Sequence, residues 1–291
     1  MRTLTGPHTD SILTTQILKK MEPRLQLRVQ RYGWDKAAQY YETAWKKQLK
    51  PAQDKLLEMT DLQPGESVIE TSCGTGLATF RVAEQIGPEG TIVATDLSQE
   101  MVNIAMEEAE ERNLTNAYFL RMDAQQLEID DFQFDAAICC LGLMYFPSPL
   151  KGLKEMHRLL KPGGRATVSI WGERKNCGWA EVFPIVDRQV ASDVCPLFFQ
   201  QGTGNALQYT FQEAGFNDVE VERFKVNLNY PDSETALMAA FAGGPVALAY
   251  EKFDGDTVET VHREYLESIR PYRNGDGFEI PGEFVVAKGV K

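Results

Sequence analysis

Between residues 67 and 171, short apolar runs rich in Val, Ile and Ala alternate with amphipathic stretches, and this rhythm constrains the fold more than any other feature of the chain. The run SVIET is followed by LATFRVAEQI, TIVATD by QEMVNIAMEEAEERN, and, after AYFLRMD, FDAAICCLG by PLKGLKEMHRLL and RATVSIW. Gly87-Pro88-Glu89-Gly90 and Lys161-Pro162-Gly163-Gly164 punctuate the series as turns. Strands that alternate with helices must pair in parallel, because each crossover spends a helix returning the chain to the same end of the sheet.

The flanks are less regular. Residues 10–50 read as helical, with Trp34, Ala38, Tyr41 and Trp45 on one apolar stripe. Beyond Trp171 the spacing predicts a helix near 178–192, a helix ALQYTFQEAGF, a strand DVEVERFKVNLNY, two or three helices over 232–272 and a last strand GEFVVAKGVK. The expected fold is α/β, doubly wound, with a mostly parallel seven-stranded sheet. Residues 1–60 form an N-terminal helical cap, 61–231 the α/β core, 232–277 a helical lid and 278–291 the final strand.

An open parallel sheet binds ligands beyond the carboxyl ends of its strands. Glu70, Asp96, Asp123 and the Cys139-Cys140-Leu141 segment fall at four such ends. After the first strand, Gly74 and Gly76 open a turn that brings bare backbone close to a ligand at the start of a helix. Asp96, at the end of the second strand, suits the two hydroxyls of a ribose. A dinucleotide fingerprint would need Gly or Ala where Thr79 stands, and Glu70 would face an incoming pyrophosphate. A nucleotide-dependent oxidoreductase is therefore the weaker alternative, and a ligand carrying an ammonium group fits Glu70 better.

These residues resemble the class I S-adenosylmethionine-dependent methyltransferases, in the small-molecule group that is similar to the quinone and sterol methylases. Glu70-Thr71-Ser72-Cys73-Gly74-Thr75-Gly76 looks like the family's first motif, DLSQEM (96–101) its second, RMDAQQL (121–127) its third and FDAAICCLGLMYFPSP its fourth, with LKPGGRATVSIW after it. The resemblance implies S-adenosylmethionine as cofactor. Glu70 would orient its amino group, and Cys73, Gly74 and Gly76 would line it with backbone. Asp96 would hold the ribose hydroxyls, Leu97 and Met101 would flank the adenine, and Asp123 would accept from the adenine amino group with Ala124 beside the ring. Cys140 and Leu141 would close the methionine side, and Tyr41 on the N-terminal helix, with Tyr40 as the other candidate, would fold over the site. Ser72 departs from the pattern, standing where the family has its first glycine. A non-catalytic cofactor-binding protein on the same fold is a further alternative.

Composition excludes other classes. A formal net charge of -12 argues against nucleic acid, which needs a basic face. No run approaches the roughly 18 apolar residues of a membrane span, and MRTLTGPHTDSILTTQ lacks the apolar stretch of a signal peptide, so a cytoplasmic monomer or homodimer is expected. Five cysteines form no C-x-x-C pair and no metal spacing is present, so no metal is expected. His157 is read as non-catalytic, His262 as a residue of the lid, and CPLFFQQG as core or acceptor pocket. The methyl acceptor is expected to be a small, largely apolar molecule. Around Leu141 to Pro147 only Tyr145 titrates, and a phenol is a poor base near neutrality, so Tyr145 is expected to orient the acceptor.

Overall fold

The computed structural model describes residues 22–191 and 194–291. A long helix α1 (Pro23–Thr60) leads into β1 (Ser67–Thr71), α2 (Thr79–Ile86), β2 (Thr91–Asp96), α3 (Gln99–Glu111), β3 (Ala117–Arg121), β4 (Phe134–Cys140), α4 (Pro149–Leu159) and β5 (Leu160–Trp171). Then come α5 (Val182–Asp187), α6 (Ala206–Glu213), β6 (Asn217–Tyr230), α7 (Ser233–Leu237), α8 (Ala247–Tyr250), α9 (Gly255–Ile269), β7 (Arg273–Asn274) and β8 (Gly277–Val290). The helix expected from residue 10 lies outside the described residues as far as residue 21. Beyond residue 50 it continues through Pro51 to Thr60, because Ala52, Leu56 and Leu57 bury against the core.

Strand order is β3-β2-β1-β4-β5-β8-β6, seven strands as expected, with the two-residue β7 paired to β8. β1 to β5 run parallel, and β8 is antiparallel to both β5 and β6. The order reverses between β1 and β4, so the switch point lies where Thr71 and Cys140 end their strands. Both faces of the centre are covered. Ile69, Ala137 and Cys139 pack into one core cluster, while Val68, Ala136 and Ile138 pack into another on the opposite face. That two-sided burial explains why these strands read as unbroken apolar runs.

The tail departs in detail from the sequence reading. The helix expected over 178–192 is confined to Val182–Asp187, because Asp187 Oδ1 accepts the Val194 N–H at 2.8 Å and turns the chain away. β8 starts earlier than GEFVVAKGVK, at Gly277, and β5 earlier than RATVSIW, at Leu160. The insertion after β6 packs on α1, where Trp45 Nε1 donates to Gly243 O at 3.0 Å.

Candidate functional site

The turn after β1 is held open by backbone conformation. Ser72, Gly74 and Gly76 have φ of 58°, 57° and 87°. Ser72 is thus a left-handed residue where glycine would cost nothing, and the fold makes room for its side chain through a second glycine. A Cβ on Gly142 would stand 2.4 Å from Ser72 Cβ and 2.6 Å from its Oγ. Neighbouring Leu141 is also left-handed, at φ 60°, pinned by its N–H to Ser169 O at 2.9 Å. Two strained non-glycine residues therefore meet at the switch point.

Asp96 ties this turn to α3. Its Oδ2 accepts the Gly74 N–H and its Oδ1 the Ser98 N–H, both at 2.9 Å. A carboxylate has about four lone-pair positions, so two remain for outside hydroxyls. Burial pushes its pKa up to about 6, against the pull of those backbone donors. Ser98 caps α3 by accepting the Met101 N–H, and its hydroxyl donates to Asp35 of α1 at 2.6 Å. The roof helix is thereby fastened to the second strand end.

Glu70 is 1% exposed, and Thr79 Oγ1 donates to it at 2.5 Å. Burial pushes its carboxyl up to about 8, the Thr79 hydrogen bond opposes this, and the Asp96 charge adds to it. A cation placed beside it would return it to the ionised form. Asp123 Oδ1 accepts from the Gln125 N–H at 2.9 Å, and Gln125 Oε1 in turn takes the Ser148 N–H, which ties the third strand end to the start of α4.

A cavity of about 650 Å³ lies over these strand ends. It is lined by Ser72, Gly74, Asp96, Leu97, Met101, Asp123, Ala124, Cys140, Leu141, Tyr41 and Tyr145, eleven of the residues singled out in the sequence. Glu70 and Cys73 line instead an adjoining hollow of about 280 Å³, which shares Tyr41, Ser72, Cys140 and Leu141 with the main cavity. Gly76 lines neither. Its φ of 87° favours glycine, and a Cβ there would lie 2.6 Å from the Phe80 ring, so packing beneath the turn asks for glycine as well.

A third hollow of about 350 Å³ shares Trp34, Tyr41, Leu141 and Tyr145 with the main cavity and is otherwise walled by Trp45, Leu49, Met144, Trp171, Trp179, Phe198 and Pro245. Among the described residues that line it there is no carboxylate, imidazole or amine. The Tyr145 ring meets Trp34 edge-on at 5.1 Å and Phe198 at 5.4 Å, placing it on the wall between the two spaces. Burial holds the phenols of Tyr145 and Tyr41 well above their ordinary value, and pushes the Cys140 thiol up to about 12.

Of the alternatives on α1, Tyr41 lines the cavity while Tyr40 is 39% exposed. Trp34, read as helix packing, lines it too. Gly142 and Phe146 belong to the Leu141–Pro147 segment expected near the acceptor, Met122 was missed although it adjoins Asp123, and Leu27 and Gln30 carried no signal because α1 arrives from far along the chain. His157 packs against Phe216, and His262 bonds Tyr250 OH at 2.9 Å; neither lines these spaces. CPLFFQQG contributes Phe198 to the aromatic hollow. Among the described residues no group of three or more His, Cys, Asp or Glu could hold a metal ion, and no helix is long and apolar enough to cross a membrane.

Residues 68–164 match the family model described as a methyltransferase domain. A demethylmenaquinone methyltransferase of Listeria monocytogenes is 32% identical over 177 residues, covering 56% of this chain and 75% of that one. The chain belongs to the class I S-adenosylmethionine-dependent methyltransferases. A demethylmenaquinone methyltransferase of Staphylococcus carnosus is 29% identical over 201 residues, covering 62% of this chain and 83% of that one. In fold, this methyltransferase is similar to a phosphoethanolamine N-methyltransferase of Haemonchus contortus solved with phosphomonomethylethanolamine and S-adenosylhomocysteine. That match has a TM-score of 0.58 and 17% identity, and covers 88% of this chain and 58% of that one. The cofactor is S-adenosylmethionine, and the residues present fit it: a carboxylate anchored by backbone N–H groups, a left-handed cradle beside it, and a second, buried carboxyl at the neighbouring strand end.

Proposed function

We propose that this methyltransferase alkylates an apolar-bodied acceptor seated in the aromatic hollow, with the cofactor in the main cavity across the Tyr145–Leu141 wall. The observation that carries this reading is the shared wall: two adjoining spaces, one bearing the strand-end carboxylates and one aromatic, meet at Trp34, Tyr41, Leu141 and Tyr145. Asp96 takes the ribose hydroxyls, Glu70 the ammonium of the methionine part, and Asp123 the adenine amino group with Leu97, Met101 and Ala124 beside the ring. Bound S-adenosylmethionine supplies a methyl already activated on a sulfonium. The chain's own contribution is alignment and exclusion of water, and such positioning alone is worth roughly 7–11 kcal/mol. Trp34, Tyr41 and Tyr145 line the main cavity, and the electron-rich face of such a ring is the part that attracts positive charge.

With no carboxylate, imidazole or amine among the described residues of the aromatic walls, the acceptor must arrive with a nucleophilic atom of its own, such as an electron-rich ring carbon, phenolate or thiolate. The relatives named demethylmenaquinone methyltransferase favour a ring-bearing acceptor of this kind. The insertion of residues 232–277 serves as the lid over this side, and the protein works in the cytoplasm as a monomer or homodimer without nucleic acid.

The test is turnover of methyl-labelled cofactor with a panel of hydroquinones, phenols and thiols, in wild type and in Phe198→Ala. The expected result is a methylated apolar product, with the acceptor KM raised several-fold in the variant and affinity for S-adenosylhomocysteine unchanged. Transfer only to polar acceptors, with Phe198→Ala silent, would overturn the placement.

A further inference from the structure

Trp179 is 4% exposed, lines the aromatic hollow, and has an indole N–H that is buried without a hydrogen-bond partner among the described residues. Two other indoles of the same wall are satisfied: Trp34 Nε1 donates to Gln30 Oε1 at 3.2 Å and Trp45 Nε1 to Gly243 O at 3.0 Å. An orphaned buried donor is costly, and in a native site it calls for a partner from outside the chain. The neighbouring rings are poor substitutes. Trp171, Phe198, Phe199 and Phe183 surround Trp179 at 4.8–5.9 Å between centroids, and an N–H over a ring is a second-order contact.

The position of Trp179 is over-determined, so the orphan is not a loose side chain. It follows Gly178, whose N–H donates to Pro281 O at 2.8 Å and whose missing Cβ leaves room for the Tyr272 ring. The loop before it is clasped by Glu283, 3% exposed, which accepts from Asn176 Nδ2 at 2.9 Å, the Glu173 N–H at 2.9 Å and Arg223 Nη1 at 2.6 Å. After it, the Val182 N–H closes on Trp179 O at 3.3 Å. A fixed donor on the wall of a largely aromatic hollow can select one feature of a ligand.

Resting on the proposed placement of the acceptor in this hollow, we infer that Trp179 Nε1 donates to an oxygen of the acceptor, making the substrate an apolar ring compound that carries a carbonyl, phenolic or enolic oxygen. The rest of the aromatic wall takes the hydrocarbon body, and this one hydrogen bond sets its orientation toward Tyr145. A hydrocarbon of the same shape fills the space but leaves the donor orphaned.

The experiment uses the enzyme saturated with S-adenosylhomocysteine, labelled with nitrogen-15 at its four tryptophans, and two shape-matched probes, 2-naphthol and naphthalene. The expected result is that 2-naphthol moves the Trp179 indole proton downfield and binds roughly five- to tenfold more tightly than naphthalene, the worth of one net hydrogen bond. In Trp179→Phe that preference disappears, through loss of naphthol affinity. Equal binding of both probes to wild type, or a preference that survives in Trp179→Phe, overturns the inference and leaves the hollow as the acceptor site. Binding of neither probe overturns the placement of the acceptor itself. If Trp179→Phe does not fold, the wild-type indole shift with the two probes decides alone.

Discussion

Replacing Glu70 by glutamine isolates the most perturbed carboxyl of the site while keeping its shape and its ability to accept from Thr79. In the fold this carboxyl is 1% exposed and burial raises it from 4.5 to about 8. Between those two values the folded chain keeps a proton that the unfolded chain has released. Wild type therefore loses stability as pH rises through that window and levels off above it. A shift of this size corresponds to a change on the order of 5 kcal/mol, comparable to the whole net stability of many domains. Glu70→Gln has nothing to titrate there, so the stability of wild type minus that of the variant should fall by about that amount between pH 4.5 and 9. Urea unfolding of both proteins at several pH values without added cofactor, read as the midpoint and slope at each pH, measures the difference and cancels the titrations they share. Parallel curves, or a wild type that gains on the variant as pH rises, would refute the reasoning, because either result means a carboxylate already well partnered in the ionised form.

Three further outcomes follow from the same geometry. Asp96→Ala removes the proposed ribose contact and unclips the Gly74 and Ser98 N–H groups; S-adenosylhomocysteine affinity by calorimetry should drop by about 1.5–3 kcal/mol, and unchanged affinity would place the ribose elsewhere. Gly76→Val puts a branched side chain at φ 87° and 2.6 Å from the Phe80 ring. It should lower the Tm by at least about 5 °C in a circular dichroism melt, a loss of fold that the sequence reading of a ligand approach would not produce. Tyr145→Phe should slow kcat/KM by about tenfold or less with the pH profile retained, since burial holds the phenol far from neutral pH; a thousandfold loss with a displaced profile would make Tyr145 an acid or base.

The alternation of strands and helices and the carboxylates Glu70, Asp96 and Asp123 at successive strand ends were legible because they are local: hydrophobic period, turn glycines and strand termini all show within a few residues. The family resemblance, with its cofactor and fold, rested on the same short-range patterns. Contacts that close over long sequence distances were not legible. Gly142 gives Ser72 its room from 70 residues away, Asp35 reaches Ser98 across 63, and Gln30 and Leu27 come to the cavity only because α1 docks across the strand ends. Gly76 looked like a ligand-approach glycine in the sequence; that a Cβ there would also meet the Phe80 ring shows only in the fold. The aromatic hollow is the clearest case. Trp45, Trp171 and Trp179 read alone as ordinary core, and only the stretch holding Phe198 offered an acceptor pocket as an alternative. Periodicity says that a side chain is buried; which void it borders, and whether its N–H finds a partner there, depends on how distant elements pack, and that is decided only in the folded chain.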